Sequence, residues 1–179
     1  EEIKELTTEV DGPTITLSGP VSSFEEGKEY SIQAEKVENK ETIATIEEAI
    51  DQVAEEKEKK VENYQAFDIK LMVDGEEVQP LGPVEVKFSS REVAKSVEDE
   101  ATEVNVIHVD ENTGEATDME ATSTEGKEVV IETEHFSVYV YIELGNLELG
   151  GIKINIQHWG EKIQTVNRNY QSMNKNTPE

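Results

Sequence analysis

The chain has 179 residues with 41 Asp and Glu against 16 Lys and Arg, a formal charge of −25, and only 35% hydrophobic residues. That charge excludes a nucleic-acid or anionic-membrane binder, because phosphate recognition needs a basic face. The lack of cysteine excludes disulfides, thiolate metal sites and cysteine nucleophiles together, and no apolar run is long enough to span a bilayer. The composition drifts toward that of disordered proteins, so hydrophobic patterning decides, and it favours folding. No charged-then-apolar leader opens at Glu1, as expected of a mature fragment.

Thr14 to Leu17 alternates after Gly12-Pro13, and Tyr30, Ile32 and Ala34 alternate after Gly27; both read as strands. Between Lys40 and Tyr64 the pattern changes. Ile43, Ile46, Ile50 and Val53 recur at helical spacing, which predicts an amphipathic helix over about 42–63, capped by Thr42 or Asn39. Glu55 with Lys59 and Glu56 with Lys60 stand at i,i+4 in the favourable order. The apolar stripe is narrow, so the helix is expected to cover an edge or an end of a sheet structure.

Phe67, Ile69, Leu71 and Val73 then alternate with polar neighbours up to Asp74-Gly75, a tight-turn dipeptide, and a hairpin partner is expected from near Val78. Val84, Val86 and Phe88 follow Gly82-Pro83; Val104, Val106 and His108 share one parity; Val129 and Ile131 form another strand, and Phe136, Val138, Val140 and Ile142 the last long one. About seven strands at this spacing predict an antiparallel β-sandwich with one inserted helix.

Charge divides the chain. Residues 150–179 hold two acids against four bases, a net +2, which leaves −27 on residues 1–149. Glycines punctuate Gly145 to Gly151, so residues 1–145 are expected to form the acidic sandwich and 146–179 a C-terminal extension. In that extension Ile152, Ile154 and Ile156 predict a strand over 152–157, docked on the sandwich or opening a further module.

The segment EVVIETEHFSVYVYIEL, Glu128 to Leu144, resembles the closing strands of a module that recurs in large surface proteins of Gram-positive bacteria. The resemblance extends backward through GPVEVKF, Gly82 to Phe88, and AFDIKLMVDGEEVQP, Ala66 to Pro80, to the acidic helix, with VNVIHVDENTGE, Val104 to Glu115, in the same order. It covers roughly residues 10–144. More distantly, the chain is similar to the β-sandwich of ankyrins and netrin receptors, whose closing strand also carries His-Phe-Ser. The resemblance implies a non-enzymatic, extracellular, cell-wall-associated structural or adhesive module. Its partners would be neighbouring modules of the same protein, and a host or glycan ligand is left open; it implies no cofactor, nucleic acid or membrane insertion.

In some relatives of the ankyrin-type sandwich the Phe-Ser bond cleaves itself. Carried over, that chemistry makes Ser137 the nucleophile, His135 the base and Phe136-Ser137 the scissile bond. It needs a strained peptide, whereas Phe136 to Ile142 alternates as a relaxed strand. A catalytic role is therefore not expected, and self-processing stays as the alternative. A second alternative is an accessory glycan-binding module of a secreted enzyme, for which Trp159 and Tyr170 are the candidate stacking aromatics.

The remaining constellations favour structural roles. Asp110, Asn112 and Glu115 around Gly114 look like a calcium loop, but the glycine falls at the fifth position, so a hairpin turn is expected and no metal. His108, His135 and His158 lack metalloprotease spacing. Lys70 and Lys87, candidates for a lysine–asparagine crosslink of the kind found in Gram-positive adhesins, point opposite the apolar parity, where a lysine keeps its proton. The abundant carboxylates carry no glycosidase signal by themselves.

Overall fold

The computed structural model describes residues 2–149 and 152–154. Strand β1 (Ile3–Glu9) and β2 (Thr14–Pro20) form a hairpin, and β3 (Tyr30–Lys36) leads into helix α1 (Lys40–Glu56). The long β4 (Lys60–Val73) turns into β5 (Glu76–Val78), followed by β6 (Val84–Ser89) and a short helix α2 (Arg91–Glu98). Then come β7 (Thr102–Val109), β8 (Ala116–Asp118), β9 (Thr122–Ser123), β10 (Val129–Thr133), β11 (Val138–Gly145), β12 (Leu147–Leu149) and β13 (Ile152–Ile154).

Two antiparallel sheets make the expected β-sandwich. One has the order β1-β2-β6-β10-β9, the other β3-β4-β11-β7-β8 with β5 folded onto β4. Apolar parity builds the layer between them: Ile15 and Leu17 of β2, Val84, Val86 and Phe88 of β6 and Val129 and Ile131 of β10 face Phe67, Ile69 and Leu71 of β4 and Val106 of β7. Asp74 and Gly75 have φ of 52° and 80°, the paired left-handed values of a two-residue hairpin turn. That turn makes β5 end at Val78, where its start was expected.

Helix α1 does not sit on an edge. Ile46, Ala49, Ile50 and Ala54 pack on the outer face of the second sheet, against Ala66, Ile107, Val109, Val138, Val140, Ile142 and Leu144. The molecule is thus three layers, sheet on sheet with a helix over one of them. Asn39 caps the helix, its side-chain oxygen accepting from the amides of Glu41 and Thr42.

The helix stops at Glu56, short of the expected 63. Glu58 turns left-handed at φ 60°, and Lys59 N donates to Ala54 O at 2.8 Å, the closing bond of a helix C-cap. Lys59 and Lys60 therefore leave the helix, so the two expected i,i+4 pairs do not form within it. A glycine at this turn would have announced it; glutamate does not.

The last long strand also differs. It begins at Val138, not Phe136. Phe136 packs between the sheets, whereas Val138 belongs to the helix-facing cluster; residues two apart on one regular strand share a face, so the alternation breaks at Ser137. Beyond Gly145, β13 pairs with β12 in a separate hairpin. Residues 155–157 of the expected strand lie outside the described residues, as do His158, Trp159 and Tyr170.

Candidate functional site

Antiparallel pairing of β11 with β7 sets Val138 opposite Val109 and Tyr139 opposite His108. This register carries the His108 ring to the end of the intersheet layer, beside the bend that precedes β11. There His108 Nε2 lies 2.5 Å from Ser137 Oγ. Ser137 is fixed from the other side as well, because its carbonyl accepts from Ile69 N of β4 at 2.9 Å. The base position expected for His135 is thus filled by His108. His135 is exposed, with its ring centroid 5.1 Å from that of His108.

Burial lowers the His108 pKa below its ordinary value, and the neighbouring His135 lowers it further, against an opposing pull from Asp110. The imidazole is therefore neutral at neutral pH and free to accept a proton. A hydroxyl held on a neutral imidazole is the arrangement of an activated nucleophile.

The backbone before Ser137 is held by side chains. Gln79, just after β5, takes both polar groups of Phe136: Phe136 N donates to Gln79 Oε1 at 2.7 Å and Gln79 Nε2 donates to Phe136 O at 3.3 Å. The His135 carbonyl accepts from Thr133 Oγ1 at 2.9 Å and from the Tyr139 hydroxyl at 2.5 Å. The Phe136 side chain is buried. The Phe136-Ser137 peptide therefore lies in a bend clamped by Gln79, Thr133 and Tyr139, and the relaxed strand expected from Phe136 starts two residues later, at Val138.

A groove of about 520 Å³ opens over this bend, with Ser137, His108 and His135 in its lining. Asp68, Glu77, Asp110 and Glu111 surround one cation, Lys70. Lys70 Nζ stands 3.9 Å from Asp68, and burial raises the Asp68 pKa, offset in part by that lysine.

The other candidates take structural roles. Asp110 Oδ1 accepts from the amides of Asn112 and Thr113 at 2.8 and 3.2 Å, and Gly114 at φ 74° closes the β7–β8 turn. This is the expected hairpin. Lys87 faces outward and meets Glu128 at 3.7 Å. Among the described residues the lysine that meets an asparagine side chain is Lys59, whose Nζ lies 3.4 Å from Asn146 Oδ1 in a half-buried position. All four phenylalanines are buried, with Tyr139 and Tyr141, and Tyr30 and Tyr64 are half-buried, so the described residues present no aromatic platform.

Sequence reasoning missed His108 and Gln79 as partners of the Phe136-Ser137 bend. His108 shared the inward parity of Val104 and Val106, a readable sign that its ring points between the sheets. Its meeting with Ser137, 29 residues away, depends on the β7–β11 register, which no local pattern encodes. No family model, no curated protein and no solved structure matches this chain.

Proposed function

We propose that the chain is a non-enzymatic structural or adhesive module of an extracellular, cell-wall-associated bacterial surface protein. One observation carries the reading most: the strand that bears the surface-module resemblance, Val138–Gly145, lies at the centre of its sheet and is packed on both faces. Its residues serve the core. A cysteine-free sandwich with an acidic exterior suits a secreted chain that stays soluble and extended, and no helix among the described residues is long and apolar enough to cross a membrane. Antibody raised against the module tests it. Staining of intact, unpermeabilised cells that express the protein, lost after brief trypsin shaving, is expected; signal appearing only after lysis would overturn the assignment.

The 2.5 Å approach of His108 Nε2 to Ser137 Oγ favours a second reading, self-processing at Phe136-Ser137. In it Ser137 Oγ attacks the Phe136 carbonyl carbon, His108 takes the hydroxyl proton and returns it to the Ser137 nitrogen as the C–N bond breaks, and water hydrolyses the resulting ester. Gln79 Nε2 already donates to the carbonyl oxygen that gains charge in that step. Intact-mass measurement under denaturing conditions separates the readings. The structural module persists at 20.1 kDa; self-processing gives pieces ending at Phe136 and starting at Ser137, abolished by Ser137→Ala.

A further inference from the structure

We propose that Ser137, with His108 as its base, is an acyl acceptor toward external esters of small neutral or cationic acyl groups bound in the groove over the β10–β11 bend. This goes beyond the structural reading, and it shares with the self-processing reading only the Ser137–His108 pair, since the attacked carbonyl belongs to another molecule. Three observations converge on it. The nucleophile and base are in hydrogen-bond contact at 2.5 Å. Ser137 is only partly buried, and it lines a groove of about 520 Å³, large enough for a small ester. Both polar groups of Phe136 are held by Gln79, which fixes the bend that presents the Ser137 hydroxyl to the groove.

The groove sets the substrate charge. Asp68 of β4, Glu77 of β5, and Asp110 and Glu111 after β7 face Lys70 of β4 and the His135 ring. Four carboxylates against one lysine repel an anionic acyl group and accept a neutral or positive one. In the reaction Ser137 Oγ bonds to the ester carbonyl carbon while its proton passes to His108 Nε2. The C–O bond to the alcohol breaks and His108 returns the proton to the leaving oxygen. Water, deprotonated by the same imidazole, then releases the carboxylic acid and restores the Ser137 hydroxyl.

The test uses the full chain and a neutral alkyl fluorophosphonate, which bonds to serine oxygen with loss of fluoride. Intact mass is taken first, so self-cleavage is scored separately from labelling. The expected result is one adduct, mapped to Ser137 and formed roughly 100-fold faster than at exposed Ser22 or Ser31, the size of a general-base contribution. It is lost in Ser137→Ala and slowed by a similar factor in His108→Ala, while an anionic fluorophosphonate reacts more slowly. The pH profile of the unaltered chain guards against a His108 variant that fails to fold: the rate levels off by neutral pH, as His108 loses its proton below its ordinary range. Labelling of Ser137 no faster than that of Ser22, or a rate that climbs tenfold with each pH unit through pH 9, overturns the proposal.

Discussion

Tyr139 and Tyr141 stand two apart on β11, both buried and both facing the intersheet layer. Their hydroxyls differ. That of Tyr139 meets Thr133 Oγ1 at 2.7 Å and donates to His135 O, whereas that of Tyr141 makes no hydrogen bond among the described residues, and the neighbouring Ser96 hydroxyl donates to Glu92 O instead. Burial pushes the Tyr141 hydroxyl up to about 12. Tyr139→Phe removes the hydroxyl that donates to the His135 carbonyl and contacts Thr133 Oγ1 and is expected to cost about 1 kcal/mol, while Tyr141→Phe removes an unsatisfied group and is expected to be neutral or slightly stabilising. Urea unfolding of the two variants checks the contrast; equal losses would mean that Tyr141 has a partner.

His108 gives a pH signature. Its pKa is lower in the folded chain than its ordinary 6.5, so folding favours the neutral ring. The stability this provides is fully present above pH 6.5 and is lost as pH falls through the folded value. Between those limits the unaltered chain is expected to lose stability more steeply than His108→Gln, which lacks the titrating group. Parallel slopes in urea midpoints from pH 7 to pH 5 would show that the carboxylates alone govern acid sensitivity.

Among the elements, β11 has the strictest requirements. The second sheet places β11 between β4 and β7, Tyr139 and Tyr141 fill the intersheet cluster, and Val138, Val140, Ile142 and Leu144 fill the cluster under α1. Val140→Asp and Tyr139→Asp are therefore expected to be similarly severe, about 4 kcal/mol or more each, since each places a carboxylate in a closed apolar layer. A much milder Tyr139→Asp would indicate that the intersheet layer is open to water at that end.

The amino-acid pattern revealed β2, β3, β4, β6, β7 and β10 because each shows one apolar face at period two, as Val84, Val86 and Phe88 do. It revealed α1 through Ile46 and Ile50. It missed α2, whose cap Ser90 and apolar Val93 and Val97 make a short signal, and β1, where Ile3 and Leu6 fall on opposite parities. The apolar run Val138 to Ile142 was itself the sign of a strand buried on both faces. The narrow stripe of α1 pointed to an edge, whereas the outer face of this strand and its neighbours supplies the apolar surface that the helix covers. The Ser137–His108 contact lay beyond local pattern altogether, since it follows from strand pairing and a bend.

Across the molecule, electrostatics opposes compaction. The sequence places −27 on residues 1–149, and the ion pairs among the described residues join side chains that are each at least 30% exposed. Exposed pairs of this kind contribute little, so net repulsion outweighs them. The thermal midpoint is expected to rise from low to moderate NaCl as screening shortens the reach of that repulsion. A midpoint that falls with salt would show attractive pairs in control.

The central place of β11 also fixes when the molecule can fold. Its residues are among the last of the sandwich to leave the ribosome, yet β4 and β7 have no other strand to join them and α1 has no complete surface to cover. A nascent chain that ends before Val138 holds strands without the partner that closes either apolar layer. Closure of both layers therefore waits for residues 138–145, the strand that joins β4 to β7.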